Sequence, residues 1–144
     1  MHMICCPRCG EAVPTASSSP SLRCSAEVYG LLGKTLARSR QERFYVVSID
    51  ARNRVLRRHL VAVGSLAAVV VHPREVFRPL ILDGAAAAIV LHSHPSGDPR
   101  PSVEDQEITE RLAKAGLLLG IVVLDHLVVG REGYYSFRDA GKLL

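Results

Sequence analysis

Two histidines and an aspartate stand where their chemistry can combine: His92-Ser93-His94, then seven residues, then Ser102-Val103-Glu104-Asp105. Side chains at i and i+2 of a strand point to the same side, so His92 and His94 can converge on one point. Two imidazoles and a carboxylate form the ligand set of a catalytic zinc site, with three protein ligands and a fourth position left for water. A plainer account exists for each part. A histidine at a strand end is usually only a half-buried polar residue. Ser102 with Asp105 three residues later has the form of a helix N-cap with an acid in the first turn. Capping and ligation are compatible, and the coincidence of both patterns favours the metal.

The surrounding residues supply the elements that must hold these groups. The small and apolar run from Ala85 to Leu91 reads as a buried strand that delivers the histidines at its end. Pro95, Pro99 and Pro101 stiffen the loop that follows and lower the entropy lost in ordering it. A helix is expected from Ser102 to about Ala115, burying Ile108, Leu112 and Ala115 and stopping at Gly116.

Upstream, Ser25 can cap a helix running to about Arg38, with Val28, Leu31, Leu32, Thr35 and Leu36 as its apolar stripe. A hairpin follows: Phe44 to Asp50, a turn at Ala51-Arg52-Asn53, and a return from Arg54 to Val63. Leu66 to Val71 reads as a short strand. Pro73 suits the first turn of a helix packing through Val76, Phe77, Leu80 and Ile81 and closing at Gly84. Downstream, Leu118 to Leu124 and His126 to Val129 give one or two β segments, Tyr134 to Phe137 another, and Asp139 to Leu144 a short terminal helix. His72 and His126 read as polar residues of the framework. Helices alternating with strands imply an α/β layered fold with a mixed sheet.

Residues 1–24 stand apart as a cysteine-bearing arm, leaving 25–144 as the main domain. Cys6 and Cys9 have half the spacing of a zinc ribbon. A closed structural site would need Cys24 and either Cys5 or His2, an irregular set; the competing reading is a reduced arm without metal.

The pattern His92-x-His94, Ser102-x-x-Asp105 resembles the JAB1/MPN metalloprotease (JAMM) motif. The wider sequence is similar to the bacterial RadC-like branch of that family through His72-Pro73-Arg74-Glu75-Val76-Phe77, His92 to Asp105, Leu124 to Gly130 and Tyr135-Ser136-Phe137. The resemblance covers roughly Ser25 to the C-terminus. It implies the JAB1/MPN layered fold, cytidine-deaminase-like in outline, with a mixed sheet flanked by helices. It also implies Zn²⁺ held by His92, His94 and Asp105, and hydrolysis of a peptide or isopeptide bond, with a peptide or ubiquitin-like protein as substrate. The resemblance makes Glu42 the general base, and Ser102 would donate to the water or to the developing oxyanion; Glu75, Asp98 and Glu104 are the fallback bases. Longer members of the branch carry an N-terminal helix-hairpin-helix region, where this sequence has the short cysteine segment.

Composition narrows the alternatives. At 144 residues with 48% hydrophobic content and no tryptophan, the chain suits one compact domain with an aliphatic core. No apolar run approaches the 18 or so residues of a membrane span, and the N-terminus has no signal-like apolar region, so a cytoplasmic protein is expected. Net charge is +4, carried by fifteen arginines and three lysines. Arg38, Arg40, Arg43, Arg52, Arg54, Arg57 and Arg58 crowd one stretch. They suit either the solvated face of an edge hairpin or a basic stripe for DNA, the second in line with the DNA-repair label of RadC-like proteins and a role without protease activity. A nucleobase deaminase needs His-x-Glu followed downstream by Pro-Cys-x-x-Cys. Here His94 stands two residues after His92 and the Cys-x-x-Cys pair lies upstream, which excludes it.

Overall fold

A computed structural model describes residues 20–64 and 71–143, together with the backbone of two short strands, β1 (Met3–Cys5) and β2 (Ala12–Pro14). β1 and β2 pair antiparallel, with Cys5 opposite Ala12. Cys6 and Cys9 lie outside the described residues. So does the strand expected from Leu66, of which only the buried Val71 is described, outside any strand.

The remaining elements are α1 (Ser25–Ala37), β3 (Arg43–Ile49), β4 (Val55–Val63), α2 (Pro73–Leu82), β5 (Ala87–Ser93), α3 (Val103–Leu119), β6 (Val122–Val129) and β7 (Tyr134–Ser136). The strands form one five-stranded sheet in the order β4-β3-β5-β6-β7. Only β5 and β6 run parallel, with α3 as the crossover between them; the other neighbours are antiparallel. This is the mixed α/β sheet the sequence implies.

Every residue of β5 is buried. A central strand covered on both faces must be apolar throughout, which is why Ala87 to Leu91 shows no alternation. On one face, Val28, Leu32 and Leu36 of α1 pack on Val47, Ile49, Ile89, Leu91, Leu127 and Val129. On the other, α2 and α3 bring Val76, Phe77, Leu80, Ile108 and Leu112 against Phe44, Val46, Val90 and Val123. β4 is an edge strand with exposed Leu60 and Val63. Its adjacent Arg57 and Arg58 reach opposite faces: Arg57 lies 3.8 Å from Asp83 after α2, and Arg58 donates to the carbonyl of Leu31 in α1. These two arginines therefore do not share a face.

Several elements depart from expectation. Cys24, not Ser25, is the N-cap of α1; Ser25 is buried and its hydroxyl donates to Asp139 at 2.5 Å. Thr35 is exposed, so the stripe of α1 is narrower. α3 runs through Gly116 to Leu119, because Gly116 is where the helix meets the next strand. A Cβ there would lie 2.4 Å from the carbonyl oxygen of Ile121. The helix ends instead at Gly120, whose φ of 72° is left-handed. Leu118 and Leu119, expected in a strand, are thus exposed helix residues. Phe137 to Gly141 form turns in place of the terminal helix, Lys142 and Leu143 have no regular structure, and Leu144 lies outside the described residues. Among the described residues no helix is long and apolar enough to cross a membrane.

Candidate metal centre

The site forms where the carboxyl end of β5 meets the N-terminus of α3. His92 is the penultimate residue of the buried strand, His94 follows its end, and Asp105 sits in the first turn of the helix. Two contacts place the loop between them: His94 N donates to Val129 O (2.9 Å), and Arg131 N donates to Gly97 O (2.9 Å). The loop therefore lies flat against the end of β6. This works because residue 130 is glycine; a Cβ there would stand 2.4 Å from Gly97 O and 2.8 Å from Pro99 Cδ.

Ser102 and Asp105 complete a reciprocal capping box: Asp105 N donates to Ser102 Oγ (3.1 Å), and Ser102 N donates to Asp105 Oδ2 (2.7 Å). The cap that begins the helix thus also aims the carboxylate. Ser102 Oγ is the acceptor in this cap.

The three side chains converge. His92 Nε2 lies 3.0 Å from His94 Nε2 and 3.0 Å from Asp105 Oδ1, while His94 Nε2 lies 3.1 Å from Asp105 Oδ2. These three form the metal-competent cluster among the described residues. Ligand atoms 2.0–2.1 Å from a tetrahedral zinc would be about 3.3 Å apart, so the observed spacing fits with a small expansion. Asp105 Oδ1 is buried and accepts no hydrogen bond despite its closeness to His92. Such an orphaned carboxylate oxygen is costly unless a cation meets it.

Electrostatics follow from the crowding. Burial works to raise the pKa of Asp105, but its contacts with His92 and His94 outweigh this and hold the carboxyl well below the usual range. The contact with Asp105 raises the pKa of His94 against the opposing effect of burial; the Asp98 carbonyl and the charges of Asp105 and Glu42 add to the rise. His94 Nδ1 contacts Asp98 O at 2.9 Å, leaving Nε2 toward the cluster.

Glu42 immediately precedes β3 and is half-buried. Phe44 pairs with His92, so Glu42, two residues earlier, is on the histidine side of the sheet. Its charge is felt at His94. Ser93 ties this segment to the site: Arg43 N donates to its Oγ (3.0 Å), and that hydroxyl donates to Gln41 O (3.2 Å). Ser93 was not singled out by sequence, since it sits between the two histidines and faces away from them.

His126 requires a correction. It belongs to β6 as expected, but it is also part of the site, because Val90 pairs with His126 in the parallel ladder. Its Nε2 lies 2.8 Å from His92 Nδ1, and its Nδ1 lies 2.6 Å from the buried Thr109 Oγ1. Phe137 stacks on its ring. Burial pushes its pKa well below the ordinary value and keeps it neutral. No local motif pairs His126 with His92; only the strand register does.

The other candidates lie elsewhere. His72 is the exposed N-cap residue of α2 and makes no side-chain cap. Glu75 pairs with Arg74, Asp98 pairs through its carboxylate with Arg100, and Glu104 is exposed. Cys24 is an exposed free thiol.

Comparison with known proteins gives a family. A model described as RadC-like JAB domain matches residues 22–142. The chain is 48% identical over 118 residues to a UPF0758 protein of Trichlorobacter lovleyi, covering 82% of this chain and 51% of that protein. It is 51% identical over 116 residues to one from Symbiobacterium thermophilum, covering 81% and 50%. Against one from Methanosarcina acetivorans it is 44% identical over 115 residues, covering 80% and 50%. The chain spans about half the length of these curated relatives.

Proposed function

The chain belongs to the RadC-like JAB domain family, and on that premise we propose that it is a zinc-dependent hydrolase of the JAMM type, cleaving a peptide or isopeptide bond. The observation that carries this reading is the convergence of His92 Nε2 and His94 Nε2, 3.0 Å apart, on the carboxylate of Asp105, whose Oδ1 lies 3.0 Å from the first and accepts no hydrogen bond and whose Oδ2 lies 3.1 Å from the second. A buried carboxylate oxygen that accepts no hydrogen bond is costly unless a cation meets it.

His92, His94 and Asp105 would hold the ion. Zinc so bound supplies Lewis acidity and lowers the pKa of a water toward neutrality. Glu42 would act as the general base, accepting a proton from the attacking water and handing it to the leaving amine. Ser102 donates its hydroxyl proton to the oxyanion as charge develops there, an interaction worth several kcal/mol in hydrolases. Residues 25–144 are the proposed hydrolytic domain, and a peptide or ubiquitin-like protein the proposed substrate class.

The test has two stages. Protein purified without chelators should hold close to one zinc per chain, and Glu42→Gln should keep it. Against a fluorogenic peptide and isopeptide panel, the zinc-loaded wild type should cleave at least one member and Glu42→Gln none. A wild type that binds no zinc at neutral pH sinks the reading.

A further inference from the structure

The hydrogen bonds behind the metal ligands run in one direction, and that direction is fixed at a threonine. We propose that Thr109 and His126 are positioning residues that lock His92 in the tautomer whose Nε2 lone pair faces the metal. The inference rests on the proposed metal reading and adds to it two groups that never touch the ion.

The polarity follows from which atoms can donate. Thr109 Oγ1 lies 2.5 Å from the main-chain oxygen of Asp105, which can only accept, so the hydroxyl proton points there. That leaves the oxygen free only to accept from His126, 2.6 Å away, and the proton of His126 is therefore on Nδ1. His92 can ligate through Nε2 only if its own proton is on Nδ1. It then donates across 2.8 Å to His126 Nε2, which has the lone pair to receive it. Each step agrees with the next: His92 to His126, His126 to Thr109, Thr109 to Asp105 O. The relay thus begins on one ligand and ends on the backbone of another.

The scaffold keeps this arrangement in place. Thr109 is four residues after Asp105 on α3, so one helix carries both a ligand and the terminal acceptor of the relay. Thr109, His126 and His92 are all buried, which excludes competing water donors. Phe137 stacks on His126 at 5.1 Å, Phe44 stacks on His92, and both rings resist rotation. Outer partners that hold a histidine ligand in one tautomer commonly change metal affinity 10–100-fold when removed.

Thr109→Val keeps the volume and removes the hydroxyl. His126 Nδ1–H would lose its acceptor, favouring the tautomer with the proton on Nε2; this would reverse the bond to His92 and direct a proton at the metal position. Zinc affinity, measured by competition with a chromophoric chelator, should fall about 10–100-fold. Thr109→Ser should stay within about threefold of wild type, because the hydroxyl is restored. Two-dimensional ¹H–¹⁵N spectra of the imidazoles give a readout independent of metal and activity. In metal-free wild type, neutral His92 and His126 should both carry their protons on Nδ1, and in Thr109→Val that pattern should be lost.

Wild-type zinc affinity in a folded Thr109→Val, or a His126 protonated on Nε2 in the wild type, overturns the proposal. A wild type that takes no zinc but shows both Nδ1–H signals removes the hydrolase reading and leaves the relay standing.

Discussion

Two carboxylate–histidine clusters sit on this sheet, and they have opposite accounts of their hydrogen bonds. At Asp83, just after α2, Oδ2 accepts from Ser48 Oγ (2.7 Å) and meets His59 Nε2 (2.6 Å), while Oδ1 faces Arg57 Nε at 3.8 Å. Both hydrogen bonds there fall on Oδ2, and the Arg57 guanidinium balances the charge of the carboxylate from beyond hydrogen-bond reach. At Asp105, one oxygen accepts no hydrogen bond and two imidazole nitrogens point inward with it. Asp125 is closed in the same way as Asp83, accepting from His126 N, Ser136 Oγ and Arg138 N. A satisfied buried carboxylate fastens elements together. A carboxylate left short of donors has capacity for something not supplied by the chain.

The largest expected effect tests this difference directly. His92→Ala or Asp105→Ala should lower zinc affinity by more than about 100-fold, beyond the range usual for outer partners. Asp83→Asn should leave zinc stoichiometry, read by metal analysis, unchanged. Zinc loss in Asp83→Asn, or zinc retention in Asp105→Ala, would erase the distinction.

The second prediction concerns pH. In the metal-free protein the pKa of His94 is raised above 6.5, chiefly by Asp105, so zinc must displace a proton to bind. Zinc affinity should therefore decline about tenfold per pH unit below the raised His94 value, as one proton is released per ion bound. Stability has the opposite sign. A raised folded-state pKa contributes fully below the unfolded value of about 6.5 and is lost as pH rises through the folded one. Melting of the metal-free protein should thus soften as pH rises through that window. Zinc-loaded protein should show no such loss, which thermal melts at several pH values will check.

How far the sequence reveals this site depends on how local each contact is. His92, His94, Ser102 and Asp105 were legible because a strand end, a short loop and a helix cap are all sequence-local devices. Their convergence was visible from the period of a strand and the geometry of a cap. Glu42, by contrast, is separated from the histidines by a hairpin and a helix, and only family resemblance singled it out. His126 and Thr109 were illegible for a related reason. Their meeting needs the parallel register of β5 with β6 and the packing of α3, neither of which any window of residues contains. The same limit explains Ser25: it has the type of a cap, but tertiary contacts with Tyr134 and Asp139 decide where it goes. The misplaced end of α3 shows propensity losing to contact, since Gly116 serves close packing rather than termination.

A smaller effect lies at the closed cluster. Asp83→Asn should destabilise the fold by roughly 2–3 kcal/mol, because a buried acceptor of charged and neutral donors is weakened while Ser48 and His59 remain. Burial works to raise the pKa of Asp83, but bonds from His59 and Ser48 with the charges of His59 and Arg57 lower it overall. The lowered folded value means this stabilisation is present above the unfolded value of about 3.8 and is lost as pH falls through the folded one. Chemical denaturation at neutral and acid pH should show the gap between wild type and Asp83→Asn narrowing in acid.

The smallest effect separates geometry from charge within that same cluster. Arg57 carries a full positive charge beside Asp83, yet its side chain is 74% exposed and its Nε stands 3.8 Å away. Water screens such a pair and the long side chain loses entropy in holding it, so Arg57→Ala should change stability by no more than about 0.5 kcal/mol. His59 sits 2.6 Å from the carboxylate and is 25% exposed. His59→Ala leaves part of that buried acceptor without a partner and should cost about 1–3 kcal/mol. Equal losses from the two substitutions in denaturant titrations would mean that long-range charge, rather than short hydrogen bonds, closes the Asp83 cluster. The contrast with the open oxygen of Asp105 would then need another physical basis.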